Sequence, residues 1–312
     1  MTNKTIDKAL GAMLGLAIGD ALGAPVEFLL RDSFPPVTDF QSGGKFHLPA
    51  GTYTDDTAMA LCLAQSLIDK QGCDPIDQLE KYLRWLNEGY MSATGKSVGC
   101  GKTIYRALLR FMAAPKPQCG NARMKRQAGN GSLMRVAPIA IYYRHNLHDA
   151  YQCAQTSSYT THGLKICADA CIVYVGLLVG LLEGKSKDEV LSGTYAEYLL
   201  NDVLEQYRIE PEIANVLHGS YKTKPREAIR SGGYVLDSLE AALWAFYHGS
   251  DYAESVLMAV NLGEDSDTTA AICGALAGAW DGYKMLPDGW KNRLANRARI
   301  EATARKLVSR EK

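Results

Sequence analysis

Gly11, Gly15, Gly19 and Gly23 stand at four-residue intervals near the start of the chain. Residues four apart share one face of a helix, so this spacing strips a helical face down to backbone, with Ala12 and Leu16 beside it. Glycine inside a helix costs about 0.5–1 kcal/mol relative to alanine, so a row of four calls for an offsetting contact. A second helix lying close against the row would supply one. The segment after Asp267 offers a small-residue face in Ala270, Ala271, Gly274, Ala275, Ala277, Gly278 and Ala279. The first expectation is therefore close helix packing, with these two segments as candidate partners.

The rest of the chain repeats the helical signal. The stretch 57–68 holds helix-forming residues without Gly or Pro. Similar runs occupy 75–87, 103–113, 164–182, 188–204, 236–247 and 267–280, with a polar one at 290–308. No stretch alternates apolar and polar residues over several positions, and Asn130-Gly131 is flanked by helix-like sequence rather than β-branched runs. Pro35-Pro36 and Pro115-Lys116-Pro117 read as short loops, with no linker, low-complexity stretch or fixed-period repeat. The expected fold is all-α, a single compact multi-helical domain over 1–312.

Lys4 and Lys8 before the apolar stretch 9–18 imitate a secretory leader, but Asp7, the recurring glycines and Asp20 count against one. The longest later apolar run, 170–182, falls short of the ~20 residues that span a bilayer. A soluble protein with no membrane partner is expected. Lys+Arg and Asp+Glu are each 34; without a basic excess, no nucleic-acid partner is expected either. The cysteines at 62, 73, 100, 119, 153, 167, 171 and 273 follow no metal-ligand spacing. Cys167 and Cys171 lie in an apolar helical run and read as core, and the scatter fits a reducing cytoplasm.

Two acidic clusters each stand directly before a helix. The first is Thr54-Asp55-Asp56-Thr57, and the second is Asp265-Ser266-Asp267-Thr268 within 263–269. A Thr or Asp in such a place ordinarily caps free backbone N–H groups. Two neighbouring carboxylates exceed what a cap needs, because like charges repel unless a cation neutralises them. Together the clusters offer six oxygen-bearing side chains, a set suited to two Mg2+ or Mn2+ ions. From the residues alone, a shared metal site and two independent caps both remain open.

Six motifs, in order, resemble the ADP-ribosylglycohydrolase family, the group of the dinitrogenase-reductase-activating glycohydrolase. They are Gly11-x-x-x-Gly15-x-x-x-Gly19-Asp20-Ala21-x-Gly23, Thr54-Asp55-Asp56-Thr57, and Gly129-Asn130-Gly131-Ser132-Leu133-Met134-Arg135. Thr161-His162, the stretch 233–242 and Gly263-x-Asp265-x-Asp267-Thr268 complete the series, which covers nearly the whole chain. The resemblance implies an all-α fold with a binuclear Mg2+ or Mn2+ centre between helices, ligated by Thr54, Asp55, Asp56, Asp265, Asp267 and Thr268. It implies hydrolysis of the glycosidic bond between ADP-ribose and a modified protein side chain or small molecule, with the ribose lying over the metals. Asn130, Gly131, Ser132, Met134 and His162 would hold the remainder of ADP-ribose, and Tyr234 would stack near the acceptor or the nicotinamide-side ribose. Asp55, Asp267 and Glu27 are the candidate catalytic carboxylates, with Glu27 or a metal-site Asp managing the proton.

The residues carry blander readings beside these. The turn at 129–132 suits an ordinary helix start as well as a phosphate cradle, and His162 and Tyr234 suit core packing. A two-metal nucleotide phosphoesterase and a non-catalytic ADP-ribose binder are the competing functions. One position departs from the family: many arginine-directed members carry Asp-x-Gly where this chain has Gly99-Cys100-Gly101. Glycine cannot pair with a guanidinium and Lys102 is nearby, so the acceptor stays open.

Overall fold

Burial of the glycine row organises the chain, which is analysed as a computed structural model describing residues 3–203 and 207–309. The first half contains α1 (Asn3–Gly23), α2 (Asp55–Lys70), α3 (Pro75–Glu88), α4 (Lys102–Ala113), α5 (Ala137–Tyr142) and α6 (Leu147–Thr161). The middle holds α7 (Lys165–Leu182), α8 (Lys187–Val190), α9 (Gly193–Glu197) and α10 (Pro211–Leu217). The last part adds α11 (Val235–His248), α12 (Tyr252–Val260), α13 (Ser266–Asp281), α14 (Asp288–Arg293) and α15 (Arg297–Val308). Among the described residues there is no strand beyond two isolated bridges, Gly43 with Leu48 and Gly129 with Tyr234. One contiguous apolar core joins the helices.

α1 and α13 form the closest pair. A Cβ on Gly15 would run into the Gly274 carbonyl oxygen, and one on Gly23 would stand 2.5 Å from the Asp267 nitrogen. The glycine face predicted at the N-terminus thus meets the small-residue face of α13. Tyr252, on α12, seals the contact by donating its hydroxyl to the Gly15 carbonyl at 2.9 Å. α7 is buried along almost its whole length and touches α13 through Tyr174, whose hydroxyl donates to the Ile272 carbonyl at 2.8 Å. The helical stretches Asn3–Val26 and Lys165–Leu182 are apolar and long enough to cross a membrane, yet 94% and 89% of their most apolar windows lie inside the protein. Their apolarity is accounted for by the core.

Several expected boundaries are corrected. The run at 188–204 is not one helix: Ser186 and Ser192 cap two short ones, a π-helical turn follows at Tyr198–Val203, and Leu204 lies outside the described residues. The run at 290–308 divides where Asn296 takes a left-handed backbone (φ 52°) before α15. α6 and α12 were not expected. Each starts at an amide or carboxylate cap, with Asn146 accepting from the Asp149 nitrogen and Asp251 from the Glu254 nitrogen. α6 presents a polar, Ser- and Thr-rich sequence that carries little apolar periodicity.

Over-packing a tight contact costs about 1–3 kcal/mol, and the Gly15→Ala change forces backbone apart rather than a flexible side chain. Urea denaturation of that variant is expected to show at least this loss. An unchanged midpoint would contradict backbone contact between α1 and α13.

Candidate metal centre

The α1–α13 contact ends at the acidic clusters. The last turn of α1 delivers Asp20, the start of α2 delivers Asp55 and Asp56, and the start of α13 delivers Asp267 and Thr268. Oxygens of Asp20, Asp56 and Asp267 lie within 4.8 Å of one another, as do those of Glu27, Asp265 and Asp267. The clusters from opposite ends of the chain therefore meet, with Asp267 in both groups.

Neither helix is capped by the side chain of its N-cap residue, although Asp267 Oδ1 accepts from the Thr268 nitrogen at 2.8 Å in the first turn of α13. Thr54 and Asp265 occupy the N-cap positions of α2 and α13, and neither side chain accepts a capping hydrogen bond. Instead the Thr54 hydroxyl donates to Asp20 Oδ1 at 2.8 Å. Asp20 also accepts from the Thr54 nitrogen at 2.9 Å, the Thr57 nitrogen at 3.0 Å and the Thr57 hydroxyl at 2.6 Å. With its hydrogen committed to Asp20, Thr54 Oγ1 presents lone pairs to the cluster. Thr268, whose nitrogen donates to Asp267 Oδ1, lines the cavity above the cluster beside Asp265.

Electrostatics favour a cation here. Burial, followed by neighbouring carboxylates, pushes the carboxyls of Asp55, Asp56 and Asp267 well above their ordinary range. Burial raises Glu27 to about 8, with Asp265 adding to the effect and Lys45 opposing it. Burial also raises Asp20 to about 6 against the hydrogen bonds from Thr57 and Thr54. Glu27 Oε2 and Asp56 Oδ1 are buried without a hydrogen-bond partner. An all-oxygen donor set with orphaned carboxylate oxygens fits hard divalent cations such as Mg2+ or Mn2+. Asp56, Asp265 and Asp267 belong to the two carboxylate groups together with Asp20 and Glu27, and Asp55 and Thr268 line the cavity beside them.

A cavity of about 270 Å3 opens over the cluster, lined on one side by Glu27, Asp55, Asp265, Asp267 and Thr268 and on the other by Gly129, Asn130, Gly131, Met134 and His162. Asn130 spans the two sides, its amide donating to Asp265 Oδ2 at 2.7 Å and to Ser238 Oγ at 2.8 Å. The side chain of Ser132 does not reach the cavity; its hydroxyl accepts from Ser158 at 3.0 Å and from Cys171 at 3.6 Å. Cys167 and Cys171 thus serve the core beneath this turn. Tyr234 is half exposed and lies outside the cavity lining, although its neighbour Gly233 contributes to it.

Gly99 lies against the metal-site carboxylate. Its φ is +87°, and a Cβ would collide with Asp55 Oδ1. The glycine that departs from the family pattern thus makes room for Asp55, besides removing an acidic side chain. Two residues of consequence were not singled out from the sequence. Asp20 enters the sequence reading as a motif member and as a charge interrupting the apolar N-terminal stretch, with no sign of a role at the cluster. Arg135, fully buried under the 129–132 turn, gave no local signal.

A family model described as ADP-ribosylglycohydrolase matches residues 1–312. The chain is 38% identical to the ADP-ribosylarginine hydrolase Tri1 of Pseudomonas putida (strain GB-1), over 98% of this chain and 79% of that one. It is 29% identical to the ADP-ribosyl-(dinitrogen reductase) glycohydrolase of Rhodospirillum rubrum, over 94% of this chain and 92% of that one. A solved structure, described as an ADP-ribosylglycohydrolase-related protein complex, superposes with a TM-score of 0.84 at 38% identity. It covers 98% of this chain and 99% of its own.

Carboxyls with raised pKa bind more protons folded than unfolded, so their contribution to stability is greatest in acid and declines as pH rises. In chelator, the decline extends through about 6 for Asp20 to about 8 for Glu27. A divalent cation replaces those protons, so the rise in Tm on adding Mg2+ or Mn2+ is expected to be larger at about pH 8 than at about pH 5. Thermal melts with and without EDTA measure it. Equal shifts at both pH values, or none, would contradict the metal centre.

Proposed function

This chain belongs to the ADP-ribosylglycohydrolase family, and on that premise we propose a two-cation hydrolase that frees ADP-ribose from modified arginine. Its general activity is that of an ADP-ribosyl glycohydrolase, hydrolysing ADP-ribose linkages. The finer reading is carried by one observation: acidic groups from both ends of the chain face a glycine-rich turn across a single cavity. The arginine acceptor is supported by the relative named an ADP-ribosylarginine hydrolase.

Bond breaking at the anomeric carbon builds positive charge on the ribose, as in other glycoside hydrolyses. Cations held by Thr54, Asp55, Asp56, Asp265, Asp267 and Thr268 would orient the ribose hydroxyls and lower the pKa of water. The protein's own groups do the rest. Asp20 fixes Thr54 through its hydrogen bonds, and Asn130 fixes Asp265. The glycines of the 129–131 turn would let the pyrophosphate come close to the backbone. Glu27 Oε2, buried and without a protein partner, is placed to carry the proton exchanged with water or with the departing acceptor. The free thiols of all eight cysteines support action in a reducing cytoplasm.

Incubation with Mg2+ and arginine-, serine- and acidic-residue-linked ADP-ribosyl substrates tests the reading. Free ADP-ribose from the arginine linkage is expected. AMP would indicate a phosphoesterase, and binding without turnover a non-catalytic binder. Asp267→Ala and Asp55→Ala are each expected to abolish release, and an active Asp267→Ala protein at ordinary Mg2+ would defeat the assignment. Gly99→Asp would place a side chain in a backbone conformation costing about 1–3 kcal/mol, against Asp55. It is expected to lower turnover of the arginine-linked substrate about tenfold or more; a gain in that turnover would overturn the role given to Gly99.

A further inference from the structure

Arg135 is a fully buried guanidinium with no carboxylate partner among its hydrogen bonds. It donates to the Gly131 carbonyl at 3.0 Å, the Ser157 carbonyl at 3.1 Å, Thr160 Oγ1 at 3.1 Å and Thr161 Oγ1 at 2.8 Å. The face of Tyr82 lies 4.5 Å from its central carbon. A guanidinium has donors only, so Thr161 Oγ1 must be the acceptor in that pair. The hydroxyl keeps its own hydrogen, and the atom placed to receive it is His162 Nδ1, 2.8 Å away. Were Nδ1 protonated, the Thr161 hydrogen would be left without an acceptor beside a buried cation, an arrangement native interiors avoid.

The opposite ring nitrogen faces the cavity. A Cβ on Gly131 would stand 3.3 Å from His162 Nε2, and one on Gly129 would stand 3.5 Å from it. His162 lines the cavity, and no hydrogen bond from Nε2 to a described residue is present. Burial, with the charge of Arg135 second, lowers the imidazole to about 3, so the ring is neutral throughout the ordinary pH range. A neutral ring with Nδ1 accepting carries its hydrogen on Nε2.

We propose that Arg135 and Thr161 are positioning residues that fix His162 as an uncharged Nε2–H donor toward an acceptor oxygen of the bound ADP-ribosyl group. The ligand half of this inference rests on the function proposed above. Arg135 links both sides of the contact, because the same guanidinium holds the Gly131 carbonyl and, through Thr161, the ring that flanks Gly131. Turn and donor are thereby kept in one register.

Nitrogen-15 NMR of the imidazole in the full chain tests the tautomer without any ligand. A protonated Nε2 and an unprotonated Nδ1 are expected, unchanged between about pH 8 and about pH 5; a protonated Nδ1 would overturn the proposal. Thr161→Val removes the hydroxyl at nearly constant shape. It is expected to disturb the ring signature and to weaken ADP-ribose binding in calorimetry roughly tenfold, with Thr161→Ser restoring both. Unchanged tautomer and affinity in Thr161→Val would overturn it. Should Thr161→Val not fold, the spectrum of the unaltered protein still decides the tautomer. An Nε2–H ring in a protein that binds no ADP-ribose would uphold the relay and overturn the ligand assignment together with the proposed function.

Discussion

Where α1 lies against α13, the carbonyl oxygens of one helix occupy the space that side chains would fill on the other. The contact runs down to Gly23, whose α-carbon faces Asp267, so the register of the two helices fixes where the acidic residues meet. Asp20 stands one turn before the end of α1, and Asp267 at the start of α13. A larger residue in the row would move a helix, and the distance between these carboxylates with it. Helix packing and metal geometry are set by the same atoms.

Such a cluster works against folding. Burying carboxylates together raises their proton affinity and repels the helices that carry them. Part of that repulsion is offset within the protein, by the four hydrogen bonds to Asp20 and by the Asn130 amide on Asp265. A brace lies farther out. Arg31 donates to the backbone carbonyls of Leu262, Arg226 and Ile229, holding the loop before Asp265 against its neighbours. The Asp265 nitrogen is tied to the Ser231 carbonyl at 2.9 Å, and the Glu264 nitrogen to the Leu29 carbonyl at 2.7 Å. Glu27 and Asp265 therefore approach each other on a shared backbone scaffold. The oxygens left unpartnered, Glu27 Oε2 and Asp56 Oδ1, are those a cation or substrate would satisfy.

The helices legible in the sequence were those with strong apolar periodicity or small-residue faces: α1, α2, α3, α4, α7, α11 and α13. α6 was hidden because its buried face includes Ser157, Ser158, Thr160 and Thr161, which read as polar but serve Arg135 and Ser132. The site was legible as two clusters, and the structure separates the cap reading from the shared-site reading by the side chains of Thr54 and Asp265, which do not cap. The motif at 129–135 gives residue order and not side-chain direction, so the contact of the Ser132 hydroxyl with Ser158 and Cys171 has no signature in the sequence. Asp20 was missed for a related reason: it is one residue in an apolar helix, and its partners Thr54 and Thr57 come from another element. Pairings across the fold have no local signature.

The two sides of the cavity are built differently. The side formed by 129–134 with His162 rests on the C-terminal end of α6 and on a buried guanidinium with four oxygen partners. Elsewhere the cavity lining comes from loops at left-handed backbone positions, Phe28 with φ 67° and Gly99 with φ 87°. Phe28 is exposed there, with the Lys45 ammonium 4.3 Å from its ring centre. Changes in loop residues that point outward leave the helix-borne carboxylates where they are, so under the proposed function acceptor preference would be free to vary with the carboxylate cluster retained. Gly99 is the exception, because its backbone touches Asp55. At that one position a side chain on the loop would collide with a helix-borne carboxylate, so a change there acts on both.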